Sequence, residues 1–499
     1  MPPFSYVFLG SAILLWGMAY WQRRSVFWSG LFVLFAALCI TVGSIFLDDF
    51  INLWDERFHA LVAKNMLVNP LRPSLYAHPI LGEINPQWKQ QLYWDHSVIW
   101  LHKQPFFLWC MALSYKIFGF SYWAGRLPAA VFSSIFGLMF YQTLRKELKD
   151  NGLVVIITGF VLLSYYSLSL VSGRQFVDQN DAIFVPLVGI STLLIWNFIA
   201  NNNKYILILS AVICGAAVLT KWLPGLYPLG FLTVSLLFRK ELITKLHFVG
   251  LFLLIVAIVV IPWQWYCADH YPAYFSKEMA FNAQHFWEAV EGQVRPWWFH
   301  FTQLPEHYGI GVLLLTAMGI FRAFLIKHWA YLSFAIMFIF TFVFFSLAQT
   351  RMPSFTYVSM VSVMMLATNG AVWLFDKLQG WKYLALVFMI LVSFENFKPH
   401  KIYELFAGQE TKQYREGMLA NRKYIEGLNL TKNDIVFNLP RHSYIELMLY
   451  SSASAYPFMP MPADLEKAKG QNVLIYSNSD TLKVPDGTHL LIGDIKHWE

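Results

Sequence analysis

Residues 102–132 read HKQPFFLWCMALSYKIFGFSYWAGRLPAAVF, and the fold turns on how the first half of that run is placed. From Pro105 to Gly119 it holds about 15 mostly apolar residues, short of the ~20 a helix needs to cross a bilayer at 1.5 Å per residue. Pro105 suits the first turn of a helix and Gly119 its stop. Placed along the membrane interface, this helix leaves the next apolar run, from 124, as the third span. Counted as a span, it would invert every later loop against the distribution of basic residues.

Outward from this stretch, apolar runs near 4–21, 26–47, 124–143, 153–172, 182–199, 205–220, 224–238, 247–266, 308–325, 328–347, 355–375 and 381–397 are read as spans. The eighth is expected to break at Pro262. Composition agrees. Of 499 residues, 57% are hydrophobic, 18% aromatic and 13% charged. That leaves too little polar side chain for a water-facing surface, and excludes disorder, collagen and disulfide scaffolds. The residues from Phe4 to Trp21 lack the basic region and cleavage site of a removable signal. Cys39, Cys110, Cys214 and Cys267 show no CxxC spacing and read as small core residues.

The net charge of +7 sits mostly in short loops, so it reports topology and implies no nucleic-acid partner. Loops holding Arg23-Arg24, Arg145-Lys146-Lys149, Lys204, Arg239-Lys240-Lys245, Lys327 and Lys377 with Lys382 are expected in the cytoplasm. The outer side then receives 48–122, 267–307 and 395–499. The tail alternates apolar runs (Ile435–Leu439, Asn472–Tyr476, His489–Ile492) with charged helical stretches, as a small extracytoplasmic α/β domain would. The expected class is a polytopic α-helical membrane protein with about 12–13 transmembrane helices. Its membrane domain is expected over 1–397 and the α/β domain over 398–499.

Three outer-face features could carry chemistry. Asp55 and Glu56, in Trp54-Asp55-Glu56-Arg57, form a carboxylate pair just outside the bilayer that could take a proton from an acceptor, or be a solvated helix end. Lys103, before the interfacial helix, could seat a lipid phosphate at a helix N-terminus, or simply snorkel. Arg174, Asp178 and Asp181 lie at the mouth of a helix bundle, where ionisable groups pair or act. Lys221 joins two spans through Thr220-Lys221-Trp222-Leu223-Pro224-Gly225, bringing a cation to the same surface. His285, His300 and His307 lack metal-ligand spacing and are expected to be solvated. Two classes fit: a transferase using a lipid-phosphate-linked donor, or a transporter or flippase of lipid-linked sugars. Transporters place charge near the midplane in related halves, and here the halves differ, which favours the transferase.

The order of motifs resembles the GT-C membrane glycosyltransferases, in the bacterial branch of the protein-mannosyltransferase-like family that includes the lipid A aminoarabinose transferase. WDERFHALVAKNM is followed by the 102–132 run, NDAIFVPLVGIST, VLTKWLPGLYPL, IPWQWYCADHYP, RPWWFHF and SLAQTRMPSFTYVS, and the likeness covers about residues 45–395. It implies a polyprenyl-phosphate-sugar donor, and inverting transfer on the extracytoplasmic face of the bacterial inner membrane. The acceptor would be a lipid, glycan or protein. It assigns Asp55 as the presumed base, Lys103 beside the donor phosphate, Lys221 to the family's K-x-x-P/G turn and Arg126 to its R-L-P segment. The second acidic position falls on Asp181 by context or Asp178 by spacing. Some members use a divalent metal and others none, so the resemblance fixes no cofactor. Gln104 stands where the family usually has proline, between Lys103 and Pro105.

Overall fold

The computed structural model describes residues 3–81, 97–148, 150–162, 179–378 and 409–495, with 381, 384, 387, 388 and 391. The helices in chain order are α1 (Pro3–Trp21), α2 (Val26–Ile45), α3 (Asp55–Asn65), α4 (Phe106–Phe118), α5 (Tyr122–Glu147), α6 (Asn151–Leu162), α7 (Gln179–Asn201) and α8 (Lys204–Lys221). A 3-10 turn, Leu223–Leu226, leads into α9 (Tyr227–Phe238). Then follow α10 (Leu246–His270), α11 (Pro272–Trp287), α12 (Phe299–Tyr308), α13 (Ile310–Ile326), α14 (Trp329–Leu347) and α15 (Met360–Lys377).

Seven of the described helical segments are long and apolar enough to cross a membrane: α2, α5, α7, α8, α10, α14 and 353–377. α12 and α13, bent by 109° at Gly309, make an eighth candidate. Gly309 takes φ 77° there, a left-handed turn that costs glycine little. Shorter apolar helices occupy three further expected spans, at 7–21, 151–160 and 223–238. Most of 381–397 lies outside the described residues. The chain is a multi-span membrane protein, and the segment expected at the interface forms the helix α4, followed by Gly119 with φ 80°.

One expectation fails. α10 does not break at Pro262 but runs unbroken through it, as α5 does through Pro128 and α7 through Pro186. In a membrane helix, neighbouring groups re-satisfy the carbonyl that proline frees.

By contacts the chain forms two compact units, 1–47 with 103–107 and 126–400, and 48–102 with 108–125 and 401–499. In the first, α13 and α15 approach so closely that a Cβ on Gly319 would lie 1.8 Å from the Leu366 carbonyl oxygen. Asn369 Nδ2 donates to the Gly319 carbonyl there at 2.8 Å. Small residues are what let membrane helices meet at this distance.

The second unit combines the first long loop with the tail. After α16 (Gln409–Gly427) come β1 (Asp434–Phe437), α17 (Ser443–Tyr450), β2 (Ser454–Ala455), α18 (Pro462–Lys467), β3 (Asn472–Ser477) and β4 (His489–Ile492). The four strands form one parallel sheet in the order β2-β1-β3-β4. Parallel neighbours need crossovers, and α17 and α18 supply two of them. Central β1 buries Ile435, Val436 and Phe437 completely. Loop residues join this core: Tyr76 stacks on Tyr456 at 5.2 Å, and Ser454 Oγ donates to the His78 carbonyl at 2.9 Å.

Candidate functional site

α3 presents the acidic pair. Trp54, just before it, takes φ 59°, a region bulky residues enter only when their surroundings impose it. Asp55 is the first residue of α3 and is half-buried, at the end where a helix dipole favours a carboxylate. Glu56 is buried, and its Oε2 accepts from the Asn52 backbone N–H at 2.8 Å and side-chain amide at 2.9 Å.

The tail fixes α3 at both ends. Near its start, Arg57 Nη2 lies 3.2 Å from Glu446 Oε1 in the first turn of α17, with side chains 4% and 2% exposed. Near its end, Lys64 Nζ donates to the carbonyls of Met448, Leu449 and Ser451 at 3.2, 2.8 and 3.0 Å. These close the C-terminus of α17, whose last carbonyls have no partner within the helix. Burial holds the Lys64 ammonium down to about 8. The His442 ring meets Trp54 at 4.8 Å and Phe58 at 5.8 Å, so the tail also supports the strained corner before Asp55. Sequence reading missed Arg57, Lys64, His442 and Glu446. Lys64 acts on carbonyls up to 387 positions away, and no local spacing announces that.

The first unit holds the remaining described candidates. Asp181, in the first turn of α7, is 1% exposed and forms an ion pair with Lys221, in the last turn of α8. Each charge sits at the helix end whose dipole favours it. The Lys221 ammonium also lies 6.0 Å from the centre of the Phe184 ring. Gln179 and Asn180 beside them are buried too, and Asn180 Oδ1 has no hydrogen-bond partner among the described residues. Lys103 is half-buried, next to a buried Gln104 whose Oε1 accepts from Gln264 Nε2 of α10 at 2.7 Å. Arg126 is fully buried, one donor directed to the Ile45 carbonyl at 3.0 Å. The structure therefore brings Asp181 and Lys221 together. Arg174 and Asp178 lie outside the described residues.

The histidines depart from expectation. His300 is completely buried, His307 is 7% exposed and His285 is half-buried. They sit on α11 and α12, helices that pack aromatic neighbours such as Tyr357 against His307 at 5.1 Å. Among the described residues no group of three His, Cys, Asp or Glu side chains could hold a metal ion.

Residues 102–266 match the family described as dolichyl-phosphate-mannose-protein mannosyltransferase. Two curated relatives are the undecaprenyl phosphate-alpha-4-amino-4-deoxy-L-arabinose arabinosyl transferases 1 and 2 of Pseudomonas fluorescens strains Pf0-1 and ATCC BAA-477 / NRRL B-23932 / Pf-5. They are 24% identical over 283 residues and 23% over 288, each alignment covering 54% of this chain and 48% or 47% of the relative. The chain thus spans about half the length of the curated relatives it matches. Among solved structures, ArnT from Cupriavidus metallidurans bound to undecaprenyl phosphate aligns with a TM-score of 0.65 at 14% identity, over 88% of this chain and 87% of that one. The same protein in the apo state aligns with a TM-score of 0.64 at 15% identity, over 89% and 88%. The chain shares the fold of these ArnT structures. Over 102–266 the chain is similar to the mannosyltransferase family, and over about half its length to the two arabinosyl transferases.

Proposed function

We propose that the chain is an integral membrane glycosyltransferase. It moves a sugar from a polyprenyl-phosphate donor to an acceptor at the extracytoplasmic face of a bacterial inner membrane, with inversion at the sugar carbon. One observation carries this reading. The family segment 102–266 contains six of the eight candidate residues: Lys103, Arg126, Arg174, Asp178, Asp181 and Lys221. The curated relatives are named for transfer from an undecaprenyl-phosphate-linked sugar, and one structural neighbour holds undecaprenyl phosphate.

The chemistry follows from charge. As the bond from sugar carbon to phosphate oxygen breaks, negative charge grows on a phosphate that is already anionic. A fixed cation such as Lys103 stabilises that charge as it develops. Asp55 takes the proton of the acceptor hydroxyl while its oxygen bonds to the opposite face of the carbon. Lys221, Arg126 and Arg174 are the further cations assigned to the donor phosphate, and either Asp181 or Asp178 is the second acid. The polyprenyl chain stays in lipid.

The test uses the full chain in nanodiscs, polyprenyl-phosphate sugars and a membrane lipid and glycan extract as acceptor. Sugar should move in the wild type. Asp55→Asn should abolish transfer at unchanged donor affinity, and Lys103→Ala should weaken donor binding where Lys103→Arg retains part of it. More than about a tenth of wild-type turnover in Asp55→Asn, about 1.4 kcal/mol of barrier, would remove Asp55 as the base. No transfer from any polyprenyl-phosphate sugar would overturn the reading.

A further inference from the structure

A cavity of about 330 Å³ opens within the second unit, lined by Lys64 from the last turn of α3 and by Ile51, four residues before Asp55. Its walls carry three aromatic side chains, Phe120, Tyr122 and Tyr450, and polar groups from Ser121, Arg422, Asn429 and Ser451. Such a volume sits at the low end of the range for small-molecule sites, and apolar walls with a few convergent polar groups are what those sites show. Aromatic faces beside hydroxyl and amide groups suit a sugar ring, which is apolar over its C–H face and hydrogen-bonding at its rim.

Charge narrows the ligand further. Both cations lining the cavity are already matched. Lys64 gives its donors to the three carbonyls at the end of α17. Arg422 Nε donates to Glu426 Oε1 at 2.8 Å, and its guanidinium lies 5.5 Å from the centre of the Tyr450 ring. With its charge balanced by Glu426, Arg422 still has Nη1 and Nη2 without hydrogen-bond partners among the described residues. They can donate to hydroxyls, and the site favours a neutral polyol over a phosphate.

Position gives the cavity a role. Tyr122 opens α5, a candidate membrane span, and Leu113, Ile117 and Phe118 of the preceding α4 expose apolar side chains. With 48–122 and 395–499 on the extracytoplasmic side, as proposed, the cavity lies on the side to which a membrane glycan projects. Asp55 and Lys64 lie nine residues apart on one helix, roughly 13 Å along its axis. We infer that this cavity is an acceptor subsite for a neutral sugar ring of an oligosaccharide whose reacting hydroxyl reaches Asp55. The inference rests on the glycosyltransferase reading and adds to it the acceptor class, a glycan several sugars long.

The test measures binding apart from transfer. Maltotriose, cellotriose and triacetylchitotriose are titrated into the full chain in nanodiscs and followed by ligand-observed NMR, with inorganic phosphate as competitor. At least one trisaccharide should bind with Kd on the order of 1 mM. Tyr450→Ala and Arg422→Gln should each weaken it at least about tenfold, Tyr450→Trp should retain it, and phosphate should not compete. In the transfer assay with a glycan acceptor, the same two variants should raise KM for acceptor and leave kcat and donor affinity unchanged. No binding by any of the three sugars, equal binding in Tyr450→Ala and wild type, or displacement by phosphate would overturn the subsite. If the sugars bind as stated and no transfer from any donor is found, the subsite stands and the transferase reading fails.

Discussion

Arg57 and Glu446 offer a sharp test of how the tail holds α3. Their side chains are nearly fully buried and approach to 3.2 Å, yet Arg57 Nε and Glu446 Oε1 make no aligned hydrogen bond among the described residues. Such a pair recovers its desolvation cost poorly, but removing one partner strands the other as a buried charge. Arg57→Met or Glu446→Leu alone should therefore cost about 3–5 kcal/mol. The second also takes the Glu446 Oε2 acceptor from Asn421 Nδ2, now at 3.2 Å, worth about 1 kcal/mol more. The double variant should return to within about 2 kcal/mol of wild type, since apolar residues can replace a buried ion pair at little cost. The assay is urea unfolding of the full chain in detergent, followed by tryptophan fluorescence, with all four proteins in one double-mutant cycle. Single variants costing under about 1 kcal/mol, or a double costing the sum of the singles, would refute the claim that this pair is a buried, coupled lock.

Other expectations follow from single contacts. Gln264→Leu should cost about 1–3 kcal/mol by leaving the buried Gln104 amide unpaired, and adding Gln104→Leu should recover most of it; equal melting temperatures for single variant and wild type would exclude this. Burial lowers Lys64 from 10.5 to about 8, so between pH 8 and 10.5 the unfolded chain binds more protons and stability should rise with pH. Lys64→Met should remove that rise when the difference between the two proteins is followed from pH 7 to 10.5. In a chain stripped of its native cysteines, a cysteine at Lys240 should label from the cytoplasm and one at Asp464 from outside; labelling from the same side would refute the topology.

Much of the fold was legible because membrane helices declare themselves through uninterrupted apolar length, and α4 through Pro105 and Gly119. Three of the four strands were visible as apolar runs, while β2 at Ser454–Ala455 has two residues, too few to show a pattern. Pro262 misled because proline breaks helices in water, where the freed carbonyl is exposed, more readily than among packed membrane helices. The histidines misled for a related reason: an imidazole can be buried against aromatic rings, and spacing alone says nothing of such neighbours. The departure at Gln104 becomes intelligible only with Gln264 in place. A buried amide needs a partner, and α10 supplies one 160 positions along the chain.

The pair of Asp181 and Lys221 shows why sequence left two readings open there. α7 and α8 run antiparallel through a short turn, with Ser191 and Ser210 in contact midway at 2.9 Å. That geometry alone brings the start of one helix beside the end of the other. An acid in the first turn and a lysine in the last are each stabilised by their own helix, so the pairing needs no catalytic purpose. The neighbours argue for more than packing. Gln179, Asn180 and Asp181 are all buried at one helix end, and Asn180 Oδ1 lacks a hydrogen-bond partner among the described residues. A protein selected only for stability would put apolar side chains there, since an unmet buried acceptor costs about 1–3 kcal/mol. A polar donor head group would meet that acceptor when bound. Under the proposed function, the ion pair fixes the two helix ends that flank that head group, and the same two charges serve structure and site.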